Sequence, residues 1–120
     1  MPNPDPKEFD ANYVINDLRR LWLRVAANEQ WFKNNWLDVP IWQLPEDLIF
    51  LQNIVSGIKP GIIIETGTKY GGSAIYLASI LKMLDLNDSK IYTIDLVETE
   101  EAKHNLSNHS LAKYVQERIV

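Results

Sequence analysis

At 120 residues, with 46% hydrophobic and 23% charged side chains, the chain has the size and composition of one globular domain with a core, not of a disordered or low-complexity segment. A formal net charge of −4 with scattered basic residues argues against nucleic acid as a partner. The absence of cysteine removes disulfides, thiol catalysis and cysteine–zinc sites together, and no apolar run approaches the roughly 18 residues of a membrane span.

The first nine residues, with Pro2, Pro4 and Pro6, form a flexible tail on this reading. The tail is polar rather than cationic then apolar, so it is no secretory signal and the expected compartment is cytoplasmic. The Asn-x-Ser triplets at Asn87, Asn105 and Asn108 are then chance matches to a glycosylation pattern. Asp10 is placed to cap a helix over 11–27, whose Val14, Leu18, Leu21, Trp22 and Val25 recur at helical spacing. Trp31, Trp36 and Trp42 follow in a stretch whose Asn and Pro content predicts irregular structure packed on something larger. Residues 10–60 thus make an N-terminal helical and aromatic segment.

Pro45, Glu46 and Asp47 start a second helix, with proline at its first position and acids in its first turn. Leu48, Leu51, Ile54 and Val55 give its buried face, and Gly57 is the natural residue to end it. Lys59-Pro60-Gly61 is a turn. Ile62 to Glu65 is a buried strand by its β-branched run. A helix over 72–84, a return loop at Asp85 to Ser89 and a strand over 91–95 follow. A further helix begins at a solvated acidic start (Glu98, Glu100, Glu101) and breaks near Asn108, and a third strand starts near 118–120. Alternating strand and helix predicts an α/β fold with parallel strands and right-handed crossovers.

The glycine turn "ETGTKYGGSA" after the first long strand can be set against three ligand-holding devices. A P-loop requires lysine directly before its hydroxyl residue, whereas Gly72 precedes Ser73 here. A dinucleotide fingerprint requires a second glycine where this chain has Lys69, and Glu65 at the strand tip would repel a pyrophosphate. S-adenosylmethionine carries a sulfonium and an ammonium but no phosphate, and a carboxylate suits it. Gly67 would allow close approach of backbone to such a ligand, and Gly71-Gly72 would let the next helix start beside it. Asp95, ending the next strand, is placed to accept from ribose hydroxyls, though it lies about thirty residues past Glu65 rather than the ~20 of dinucleotide folds. A plain topological turn and a strand-end acid that caps it remain the simpler alternatives. His104 and His109 lack metal-ligand spacing and read as solvent-facing.

Gln43, Pro45, Asp47 and Leu48, then Glu65 through Ala74, then Ile94-Asp95-Leu96 together resemble the cephalosporin hydroxylase family, which includes rhamnosyl O-methyltransferases. The resemblance runs from about Trp36 to Val120. It implies the N-terminal portion of a Rossmann-like, class I methyltransferase fold, with residues 61–120 an incomplete S-adenosylmethionine-binding half. On that basis Glu65, Thr66, Gly67, Thr68, Gly71, Gly72, Ser73 and Asp95 are cofactor-binding candidates. Glu65 and the turn would hold the methionine part, and Asp95 the ribose. The activity implied is O-methylation of a hydroxyl on a small molecule or sugar. Complete family members also bind a divalent cation such as magnesium, through residues beyond position 120, so no catalytic or metal-binding residue is assigned. Two strands and part of a third leave a sheet edge and faces open, so the chain reads as a fragment lacking its C-terminal half, or as one member of a homo-oligomer. The competing reading is a non-catalytic fragment or interaction module; a nicotinamide-dependent oxidoreductase is a distant third.

Overall fold

A computed structural model describes residues 11–29 and 31–120. The tail and the capping role expected of Asp10 lie outside the described residues. The chain divides into two compact units, Met1–Trp31 and Phe32–Val120. In the first, helix α1 spans Ala11–Glu29, two residues longer than its periodicity predicts.

The second unit contains the glycine turn. It opens with two very short strands, β1 (Asn35–Trp36) and β2 (Val39–Pro40), paired antiparallel. Between them Leu37 and Asp38 both take positive φ, 48° and 69°, the requirement of a two-residue type I′ hairpin. Neither residue is the asparagine or glycine that announces such a turn, which is why the sequence reads as irregular there. Helix α2 (Pro45–Ile58) follows. Gly57 lies inside it, and the left-handed residue that ends it is Lys59, at φ 51°. The stop is set by Pro60, which cannot continue the helix, rather than by the glycine. Val55 is buried and Leu48 and Leu51 pack on the core, but Ile54 is exposed, against expectation.

Strands β3 (Ile62–Thr66), β4 (Lys90–Asp95) and β5 (Val115–Ile119) form a parallel sheet in the order β3-β4-β5. Strand β5 begins at Val115, not near 118. Its polar Gln116-Glu117-Arg118 centre conceals the strand, which is half-buried over 115–117 and exposed at Arg118 and Ile119. Helix α3 (Gly72–Met83) joins β3 to β4, and α4 (Glu100–Asn108) joins β4 to β5. Helix α3 is apolar nearly all round and is the centre of the core. Ala74, Ile75, Ala78 and Leu81 are fully buried and cluster with Ile91, Tyr114, Val39 and Ile41. Thr99 caps α4 by accepting from the Ala102 N–H at 3.1 Å. Glu98, Glu100 and Glu101 lie exposed at that start.

The alternation of each strand divides the sheet. Ile91 and Thr93 are buried on one face, with Ile63 and Glu65 beside them in register. On the other face Ile62 and Ile64 are 62% and 68% exposed. The segment around β1 and β2 is fastened to α3 instead. Trp36 donates from its indole to Ser79 Oγ at 3.1 Å and meets Tyr76 edge to face at 4.8 Å. The Tyr76 hydroxyl donates to the Leu48 carbonyl. His109, half-buried rather than solvent-facing, donates from Nε2 to the Leu37 carbonyl at 3.1 Å, while its Nδ1 accepts from the Leu111 N–H. Those two bonds require the neutral Nε2-protonated ring.

The closest approach in this packing is at Gly72, where a Cβ would meet the Pro40 carbonyl oxygen at 2.1 Å and Ile41 Cα at 2.8 Å. Gly72→Ala is therefore expected to push the hairpin off α3 and cost about 1–3 kcal/mol. Gly57, with nothing within 4 Å of its Cβ position inside α2, gives the opposite result: Gly57→Ala is expected to stabilise by about 0.5–1 kcal/mol. Urea denaturation of both variants checks the pair.

Candidate functional site

The turn between β3 and α3 is built almost entirely from backbone bonds to neighbouring elements. The Gly67 N–H donates to the Ile94 carbonyl at 2.7 Å, which ties the end of β3 to β4. Gly67 and Gly71 take φ of 89° and 86°, a region closed to most side-chain-bearing residues. Lys69 sits at φ 50° between them. Asp95 holds this shape: its Oδ2 accepts from the Thr68 N–H at 2.9 Å and the Lys69 N–H at 3.3 Å, and its Oδ1 from the Leu96 N–H at 2.8 Å. From the other side Thr99 donates to the Lys69 carbonyl, and Asn105 to the Tyr70 carbonyl.

The two strand-end acids therefore have different surroundings. Asp95, bonded by backbone N–H groups of Lys69, Leu96 and Thr68, is held below the usual carboxylate range. Glu65 is the reverse case. Burial pushes its carboxyl from 4.5 up to about 7, against a smaller downward pull from the Thr93 hydroxyl, which donates to Oε1 at 2.7 Å. Thr93 is fully buried, and its oxygen also meets the Thr68 hydroxyl at 2.8 Å.

The sequence candidates fall into distinct positions. Glu65 and Ser73 border an apolar groove of about 410 Å³ between α2 and the outer edge of β3, lined also by Leu51, Val55, Ile58 and Ile63. Gly67, Thr68, Gly72 and Ser73 border a small cavity of about 80 Å³ under Trp42. Thr66 is exposed at the strand end and Gly71 is buried against Leu106. Asp95 reaches the turn from beneath. At Gly67 the space a Cβ would enter is open. At Gly72 the close approach is made by the chain's own residues 40 and 41.

Trp42, Gln43, Tyr70, Thr93 and Lys69 also belong to this region; the sequence reads Trp42 as a packing aromatic and Gln43 as part of the family motif, and names none of the five as a site residue. Gln43 donates to Ser73 Oγ at 3.3 Å, at the boundary between groove and cavity. The Lys69 ammonium lies 4.6 Å from the centroid of Trp42 and 5.2 Å from that of Tyr70, a double cation–π contact. Thr93 could have been found as a polar side chain on the face that β4 buries, between Ile91 and Asp95. The N-terminus of α3 has no side-chain cap, which leaves the orphan N–H groups of its first turn without a side-chain partner of that kind. Among the described residues no group of three or more His, Asp or Glu could hold a metal ion, and no helix is long and apolar enough to cross a membrane.

The profile of the Rhamnosyl O-methyltransferase/CmcI family matches residues 28–117. Rhamnosyl O-methyltransferases of Mycobacterium tuberculosis and Mycobacterium bovis are 35% identical over 69 residues, which are 58% of this chain and 28% of theirs. The Mycobacterium leprae protein of the same name is 25% identical over 70 residues, 30% of its length. The chain thus covers under a third of these relatives. Among solved structures, a candidate caffeoyl-CoA O-methyltransferase from Staphylococcus aureus superposes with a TM-score of 0.57 at 22% identity, over 91% of this chain and 49% of its own. That likeness establishes the fold.

Glu65 makes stability depend on pH in a direction opposite to a paired carboxylate. Its folded value, about 7, lies above the unfolded 4.5, so its favourable contribution is complete below 4.5 and is lost as pH rises through 7. The variant Glu65→Gln keeps an acceptor for Thr93 and has no charge to bury. It is expected to exceed wild type in stability above pH 7, by about 3 kcal/mol at most, with the gap closing toward pH 5. Denaturation midpoints measured across pH 5–8 check this.

Proposed function

Because the chain belongs to the Rhamnosyl O-methyltransferase/CmcI family, we propose that Phe32–Val120 is the S-adenosylmethionine-binding half of an O-methyltransferase acting on a hydroxyl of a small molecule or sugar. The observation that carries this reading is the placement of opposite charge preferences a few residues apart. A partly buried carboxylate, Glu65, stands one residue before the end of β3, and α3, whose N-terminus has no side-chain cap, begins five residues past the open space at Gly67. An amino-acid moiety with a cationic and an anionic end suits such a pair: the N-terminus of α3 and Ser73 for its carboxylate, Glu65 for its positive charge. A pyrophosphate would have to accept Glu65 as a neighbour, which disfavours the nicotinamide reading.

The bound cofactor would supply a methyl group on a sulfonium. The residues here would bind and orient that cofactor. Thr66, Gly67, Thr68, Gly71 and Gly72 set the backbone of the turn. Asp95 shapes that turn first, and a carboxylate with about four acceptor sites keeps capacity for ribose hydroxyls. The cavity of about 80 Å³ is small beside the ~300–1,000 Å³ of ordinary ligand pockets, so this half forms one wall of a site. A divalent cation, where family members use one, would be held by residues outside this chain. The sugar acceptor is suggested by the mycobacterial relatives, which are rhamnosyl O-methyltransferases by name. An interaction module is the second reading, favoured by the apolar groove and by Ile62 and Ile64 on an uncovered sheet face.

Calorimetry with S-adenosylmethionine and with NAD separates these readings. The chain is expected to bind the former and not the latter, and Asp95→Ala is expected to weaken binding at least tenfold by releasing the turn. The ratio of wild-type to Glu65→Gln affinity should rise roughly tenfold from pH 6 to pH 8, as Glu65 ionises. A folded chain inert toward S-adenosylmethionine would leave the interaction module as the function of this polypeptide.

A further inference from the structure

Thr93 stands in the middle of a row that crosses the sheet. In register, Glu65 on β3, Thr93 on β4 and Glu117 on β5 lie side by side on one face. Thr93 is 0% exposed, and Thr68 above it is 4% exposed. A hydroxyl has one proton, and that of Thr93 is given to Glu65 Oε1. The 2.8 Å contact between the two threonine oxygens must then run from Thr68 to Thr93. The result is a directed chain, Thr68 O–H to Thr93 O–H to Glu65, closed to solvent at both hydroxyls. At the same time the Thr68 N–H is held by Asp95. Thr68, the residue after Gly67, is thus fixed through its backbone by one acid and through its side chain by the other.

We propose that Thr93 is a positioning residue that couples the charge state of Glu65 to the conformation of the glycine turn at Thr68. The coupling follows from hydrogen-bond direction. An ionised Glu65 only accepts, so it fixes both hydroxyl protons pointing toward it. A protonated Glu65 has a proton of its own to donate, and no longer enforces that order. A cation arriving at Glu65 would select the ionised form and so set the turn that receives the rest of the ligand. This inference rests on the proposed ligand only for that last step; the coupling is a property of the free protein.

The charged groups around Glu65 define how its titration is to be read. Asp95 closes β4 and stays ionised well below neutrality. Lys69 lies in the turn, Glu46 and Asp47 open α2, and α3 carries Lys82 in its last turn. Glu117, beyond Thr93, is itself raised by burial and then by Glu98 and Asp95, against Lys103. Residue-specific carboxyl assignments are therefore required.

The experiment is a 13C and 15N NMR titration of the free chain from pH 5 to 9, in wild type, Thr93→Val and Thr93→Ser. In wild type the Thr68 amide is expected to shift with the Glu65 midpoint. Thr93→Val should raise that midpoint by roughly one unit, through loss of the hydrogen bond to the ionised form, and should uncouple the Thr68 amide from it. Thr93→Ser should restore both. A Thr68 amide that ignores the Glu65 midpoint in wild type overturns the proposal without recourse to any variant, as does an unmoved midpoint in folded Thr93→Val. S-adenosylmethionine is then titrated into wild type and Thr93→Val at pH 7, with an expected loss of about tenfold in the variant. If the coupling is present but wild type binds no S-adenosylmethionine, the coupling stands and the ligand assignment fails.

Discussion

The bonds from the Asp95 carboxylate to the N–H groups of Thr68 and Lys69 are the constraint from which the rest of the site follows. They join the end of β4 to the turn that leaves β3, so the two strands must be in register before the turn can close. Once it closes, Lys69 is held in a left-handed conformation that brings its ammonium to Trp42 and Tyr70. Thr68 is turned inward onto Thr93, and Gly71 starts α3 at an angle that admits Pro40 and Ile41 against Gly72. Charge-assisted bonds of this kind are about twice as strong as neutral ones.

Glu65 makes the contrary contribution. Its burial disfavours the charged form, and a neutral residue there would make a more stable protein above neutral pH. Retaining a carboxylate at a position where it opposes folding is the pattern expected of a binding site, where stability and function pull apart. The neighbouring threonine row softens the cost without abolishing it. Glu117, further along the same row, has a buried oxygen without a hydrogen-bond partner, so the row beneath the turn is not fully satisfied.

The sheet itself is covered on one side. Parallel sheets are ordinarily buried on both faces, yet Ile62 and Ile64 are open and the outer edge of β3 borders an apolar groove. Ile49, Phe50, Ile54 and Ile58 of α2 are exposed as well. The groove itself is bordered by Glu65 and Ser73, which places that part of the candidate site at the outer edge of β3.

The sequence alone determined the α/β order, because β-branched runs at Ile62 and Ile91 and the apolar periodicity of α3 are local signals strong enough to survive without context. It also determined the acid-and-glycine turn, since Glu65, Gly67, Gly71, Gly72 and Asp95 sit at fixed offsets from strand ends. Other features were illegible for physical reasons. The hairpin at Leu37-Asp38 uses residues that do not prefer positive φ and is imposed by its packing on α3. Strand β5 has a polar centre and is nowhere fully buried, so it carries no apolar run or alternation to announce it. Gly57 looks like a helix stop, but Pro60 beyond it decides where α2 ends. Tertiary structure alone decided what the acids do. Asp95 became the clamp of the turn because pairing of β3 with β4 brings it to two unsatisfied N–H groups. Glu65 became a carboxyl that titrates near neutrality because register sets it beside a buried threonine. Identity and spacing belong to the chain, but burial and hydrogen-bond partners exist only once distant strands lie side by side.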